Sequence, residues 1–130
     1  MRIELEEVAS GSDEDSYWVT LGFRSPEEES DTLHLVCGKE EDIHPDLRGL
    51  YSERLDQGMS DYDLADAVVV SPDGIEVELN GRGQEVLKLP GILDFVATMD
   101  TRADWEKAVH VLRLMAGTPN GKVLSFLAAR

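Results

Sequence analysis

Leu64-Ala65-Asp66-Ala67-Val68-Val69-Val70-Ser71-Pro72-Asp73-Gly74-Ile75-Glu76-Val77-Glu78-Leu79 is the stretch that decides the fold. Its spacing predicts strands over 64–70 and 75–79. Ile75, Val77 and Leu79 alternate with Glu76 and Glu78, the period of a half-buried strand. Between the strands, Pro72 presets φ for the first central turn position and Gly74 can take positive φ. The reading is an antiparallel hairpin.

Toward the N-terminus the same alternation recurs. A strand over 2–8 sets Ile3 and Leu5 against Glu4 and Glu6. A strand over 17–23 sets Tyr17, Val19, Leu21 and Phe23 against Trp18, Thr20 and Gly22. A third, over 32–37, turns Leu33, Leu35 and Cys37 to one side. The polar stretches 11–15 and 25–31 read as turns, which makes an antiparallel meander. Residues 38–49 break the pattern as a long loop or helical turn. A short strand over 50–55 then carries Tyr51, Glu53 and Leu55 on one side.

Toward the C-terminus, residues 80–89 hold a short helical turn stopped by Pro90-Gly91. Leu93, Phe95, Ala97 and Met99 alternate as a last strand. One long helix follows over 102–116. Its apolar stripe is Trp105, Ala108, Val109, Leu112, Met115 and Ala116, its cap Thr101 with Asp104 three residues on, and its stop Gly117 and Pro119. The tail 123–129 is apolar enough to dock as a strand or helix. The expected fold is α+β: one domain over 1–130, a mostly antiparallel sheet of about six to seven strands with one main C-terminal helix packed on one face.

Composition narrows the function. The 130 residues hold 27 Asp and Glu against 12 Lys and Arg, a net charge of −15. Such a charge argues against binding nucleic acid or an anionic membrane, and favours a basic partner. No apolar run is long enough to span a bilayer, and acids stand where a signal peptide needs apolar residues. With Cys37 alone there is no disulfide framework. A cytoplasmic location is expected.

Catalytic tools are few. His34 lies three residues from Cys37 on one strand, so the two point to opposite faces. His34, Cys37 and His44 lack a fourth ligand at a zinc-site spacing. Carboxylate pairs are too numerous to single out, and Asn80-Gly81-Arg82-Gly83 lacks the lysine of a phosphate loop. No enzyme activity, metal or cofactor is expected.

The charge is uneven: residues 1–65 hold 18 acids and 5 bases, and residues 66–130 hold 9 and 7. The acids cluster at Asp13, Glu14 and Asp15; at Glu27, Glu28, Glu29 and Asp31; and at Glu40, Glu41 and Asp42. In a meander the first and third clusters share one end of the sheet and the second takes the other. Such an edge suits fast, salt-sensitive capture of a basic protein. Solvated acidic loops in a lysine-poor chain are the plain alternative.

Tyr51-Ser52-Glu53-Arg54-Leu55-Asp56-Gln57-Gly58, then Tyr62, then the hairpin, resembles the immunity protein 10 family. That family carries a Tyr-x-Glu-x-x-x-Gln element, a Tyr-Gly-Gly a few residues later, and two strands. Tyr51, Glu53 and Gln57 match the first element and Tyr62 the second tyrosine, while Asp63 and Leu64 stand in place of the two glycines. Gly83-Gln84-Glu85-Val86-Leu87, Pro90-Gly91 and the Trp105 helix extend the likeness over about residues 17–116. The resemblance implies a small cytoplasmic antidote that binds a polymorphic toxin domain without catalysis. Many such toxins are nucleases with basic clefts. The acidic loops would steer the partner, with Tyr51, Tyr62 and the outward-facing Trp18 as anchors and Glu53 and Gln57 beside them. Pairing of two copies through a free sheet edge stays open. So does a second reading, an acidic interaction module such as a secretion chaperone or regulatory adaptor.

Overall fold

The computed structural model describes residues 1–55 and 58–127. The protein is α+β, and the described residues form ten strands in two five-stranded sheets and one long helix. The strands are β1 (Arg2–Glu4), β2 (Glu7–Ser12), β3 (Ser16–Arg24), β4 (Ser30–Gly38), β5 (Tyr51–Arg54), β6 (Ser60–Tyr62), β7 (Ala65–Ser71), β8 (Gly74–Leu79), β9 (Ile92–Val96) and β10 (Leu124–Phe126). The helices are α1 (Gly81–Leu87) and α2 (Arg102–Ala116), with a 3-10 turn at Pro45–Leu47.

The single sheet expected from the alternation is thus two. One is the antiparallel meander β2-β3-β4-β5-β6; the other runs β1-β9-β8-β7-β10. Its centre is the hairpin read from sequence, while both edge strands pair parallel, β1 with β9 and β10 with β7. The expected strand over 2–8 is cut at Leu5-Glu6. Leu5 N–H still donates to Val96 in one sheet, and Glu6 N–H donates to Gly22 in the other. Alternation does not reveal this, because a strand that changes sheets can keep the same residues facing a shared core. The 11–15 turn is also shorter than expected, since Gly11 and Ser12 pair with Trp18 and Tyr17.

The two apolar faces meet in one core. Phe23 of β3 and Phe95 of β9 lie edge to face with centroids 5.1 Å apart. The helix α2 packs against β2 and β3 and also touches β7 and β10. It buries Trp105, Ala108, Leu112 and Met115, and Trp105 Nε1 donates to the Ser71 carbonyl at 3.2 Å. Its entry departs from the expected cap. Thr101 makes no capping bond to the helix; its hydroxyl accepts from Thr98 N–H, holding the preceding turn. Met99, placed in the last strand by alternation, is 95% exposed because β9 ends at Val96. Gly74 serves the hairpin by size, since a Cβ there would collide with the Phe95 carbonyl.

Between the meander and α1 sits a buried ion pair. Arg54 on the inner face of β5 bonds Asp31 Oδ2 through Nε and Nη2 at 3.0 and 2.8 Å. Its Nη1 donates to the carbonyls of Leu87 and Lys88, at the C-terminal end of α1. Cations are favoured at that end of a helix. Removing the guanidinium leaves a buried carboxylate and two carbonyls without their donor. Arg54→Ala should therefore lower the unfolding free energy by about 3–5 kcal/mol in urea titration. A loss below about 1 kcal/mol, the range of an exposed pair, would contradict this role.

Candidate functional site: the outer face of the meander

The outer face of the meander is built of cross-strand rows. Gly11, Trp18, Val36, Tyr51 and Tyr62 are successive partners across β2 to β6, and Ala9, Thr20, His34, Glu53 and Ser60 form the adjacent row. Their inward neighbours Val19, Leu35 and Ser52 are buried, so strand alternation itself turns these residues outward. The first row is free of charge and half-buried. Trp18 lies over Gly11, where a Cβ would fall 2.8 Å from Trp18 Cζ2. Tyr51 and Tyr62 meet edge to face at 5.1 Å, and Trp18 and His34 at 6.1 Å.

Polar contacts fix the second row. Thr20 Oγ1 and His34 Nδ1 share a hydrogen bond of 2.6 Å. Tyr51 Oη donates to Glu53 Oε1 at 2.9 Å. Partial burial above all raises the Tyr51 phenol above its ordinary pKa; the Glu53 carboxylate adds to this and the Ser60 hydroxyl opposes it.

The acidic clusters at 13–15 and 40–42 stand at one end of this face, as meander topology requires. Together with the floor they enclose an open groove of about 990 Å³. Glu14, Asp15, Glu40, Glu41, Asp42 and Glu53 line it, against a single lysine, Lys39. That lysine is turned aside, with Nζ on the Asp13 carbonyl at 2.6 Å and 4.9 Å from the Tyr17 ring centre. Arg48 reaches Glu41 at 3.6 Å from outside the lining. The apolar side chains of Ile43 and Leu47 are exposed on the same loop. Asn120 holds that loop in place: it accepts from Gly49 N–H and donates to the carbonyls of Gly38 and Glu40. A cleft of similar volume beside β1 mixes Arg2 and Arg24 with Glu4, Glu6 and Asp100, and so presents no field of one sign.

The structure separates the residues singled out by sequence. Glu14, Asp15, Glu40, Glu41, Asp42, Tyr51, Glu53 and Tyr62 come together in the groove, with Trp18 beside it on the same floor. Glu27, Glu28 and Glu29 are exposed at the opposite end, where Arg24 bonds both Glu6 and the Glu28 carbonyl. Two residues change role. Asp31 is no contact residue, since its side chain is 2% exposed and committed to Arg54. Asp13 builds the turn, accepting from the N–H groups of Asp15 and Ser16, and these bonds hold its carboxyl below the usual range. Gln57 lies outside the described residues. Sequence reading weighed His34 only as a base or ligand and missed Val36 and Asn120. The Leu33–Leu35–Cys37 alternation already turned His34 and Val36 outward, but nothing local marked Asn120.

Cys37 is fully buried, and burial pushes its thiol up to about 11, so at neutral pH it is not the nucleophilic thiolate. Among the described residues no group of three or more His, Cys, Asp or Glu is arranged to hold a metal ion, and no helix is long and apolar enough to cross a membrane. No family model, curated protein or solved structure matches this chain.

Two outcomes follow from these environments. Ellman's reagent should modify Cys37 at least about 100-fold more slowly in the folded protein than in denaturant, and equal rates would contradict its burial. The depressed Asp13 carboxyl stabilises the turn at neutral pH, and that contribution is lost as pH falls through its lowered folded-state value. Carboxyl-detected NMR should place the Asp13 midpoint below 3.8, its ordinary value. A midpoint at or above 3.8 would remove the two N–H bonds from the turn.

Proposed function

We propose that this chain is an immunity protein that binds and neutralises a cognate basic polymorphic toxin domain by direct contact, acting in the cytoplasm without a catalytic step. One observation carries the reading: acidic segments 25 residues apart in sequence converge on one end of one sheet face, over aromatic side chains. Like charges gathered this way repel one another, and a basic partner removes that cost while its approach is accelerated by the field.

The resemblance to the immunity protein 10 family adds support at particular residues. Tyr51, Glu53 and Tyr62, which carry it, are neighbours on the floor of the groove. Asp63, where the family pattern has glycine, takes a left-handed backbone with φ 58°, a conformation that glycine adopts freely and aspartate tolerates.

Co-expression with a toxin domain encoded in its genomic neighbourhood should restore growth. The purified pair should bind more weakly at about 500 mM than at about 50 mM salt. Replacing Glu40 and Glu41 together by lysine should slow association about tenfold at low salt, whereas the same change at Glu27 and Glu28 leaves it within about twofold. Several weakly bound partners with no growth rescue would instead mark a general acidic adaptor.

A further inference from the structure

The geometry points to the uncharged row Trp18–Val36–Tyr51–Tyr62 as the seat of an arginine-bearing segment of the partner. This rests on the basic protein partner proposed above. The row crosses four adjacent strands, about 14 Å at about 4.8 Å per strand, the reach of a short extended segment. It lies two residue pairs inward of Ser16 and Gly38, the pair from which both acidic segments emerge. A side chain on this floor therefore sits under the acidic rim, with Glu53 in the next row.

The chemistry of the floor selects the cation. A guanidinium is planar, stacks on tyrosine and tryptophan faces, and is more weakly hydrated than an ammonium. Its donors can also fork to a carboxylate, and Glu53 projects from the row beside the Tyr51–Tyr62 pair. A lysine is drawn by the same rim but uses the ring faces of the floor less well. Rim and floor thus divide the work: the rim sets the rate of encounter, and the rings set the lifetime of the complex. The end bearing Glu27, Glu28 and Glu29 has no comparable outward aromatic row in the strand register, only the Gly22, Thr32 and Arg24, Ser30 pairs.

The protein carries its own reporter, because Trp105 is fully buried and Trp18 is half-exposed on the floor. Titration with an alternating Arg–Gly hexapeptide at low salt should change tryptophan fluorescence saturably, with affinity at least about threefold above that of the Lys–Gly counterpart. Tyr51→Ala and Tyr62→Ala should each weaken the Arg–Gly peptide about fivefold or more, while Tyr51→Phe, which keeps the ring, stays within about twofold. Circular dichroism at the titration temperature verifies that each variant is folded. Absence of saturation up to about 5 mM peptide, or equal affinity for wild type and both alanine variants, would overturn the assignment. The two ideas fail separately. Growth rescue that survives Tyr51→Ala and Tyr62→Ala leaves the immunity reading standing on another surface. Peptide binding without rescue by any neighbouring toxin removes that reading and leaves the arginine seat.

Discussion

The Arg54 guanidinium ties together parts of the chain that lie more than 20 residues apart in sequence. It rises from the inner face of β5, takes the carboxylate of Asp31 at the start of β4, and ends on the last carbonyls of α1. A charge at this depth is tolerable only because each of its three nitrogens is met by a carboxylate or a carbonyl. In return it fixes how the short strand β5 sits against its neighbours. The register of β5 decides which of its residues face out, so the placement of Tyr51 and Glu53 on the groove floor depends on a contact made on the other side of the sheet.

The rim is held by different means. A two-residue step in the Asp13 turn and one buried amide at Asn120 hold two acidic segments at the same end. Neither holding group is a carboxylate of the groove. Glu14, Asp15 and Glu40 are thereby left exposed to solvent, while Asp13 and Asn120, which hold their segments, are spent internally. This division explains why Asp13, though acidic and exposed, belongs to the scaffold, and why Asn120, far away in sequence, belongs to the site.

The acidic end competes with the closely similar cleft beside β1 only in size. What separates the two is sign. Mixed charges cancel within a Debye length, whereas six carboxylates over one face sum to a field that reaches approaching molecules. Aromatic rings below that field add contact area at low conformational cost, since they are already ordered by one another across the strands.

Local pattern was enough for much of this. Alternation located β3, β4, β7 and β8, the 3.6-residue stripe located α2, and the meander rule placed the first and third acidic clusters together, because these depend only on neighbouring residues and short turns. The same alternation turned Trp18 and His34 outward, whereas the face taken by Tyr51 came from the pairing of β5 with β4. Sequence by itself therefore determined the class of fold, the sign of the surface and the outward side of β3 and β4. Only the tertiary structure decided that the strands form two sheets, that the chain crosses between them at Leu5-Glu6, and that both ends add parallel strands, since a parallel pairing joins segments far apart with no turn to announce it. It also moved Asp31 from the surface to a buried pair with Arg54 and brought Asn120 to the rim. Charge and polarity can be read from a residue's name, but whether a polar group meets solvent or a partner inside depends on what the rest of the chain packs against it.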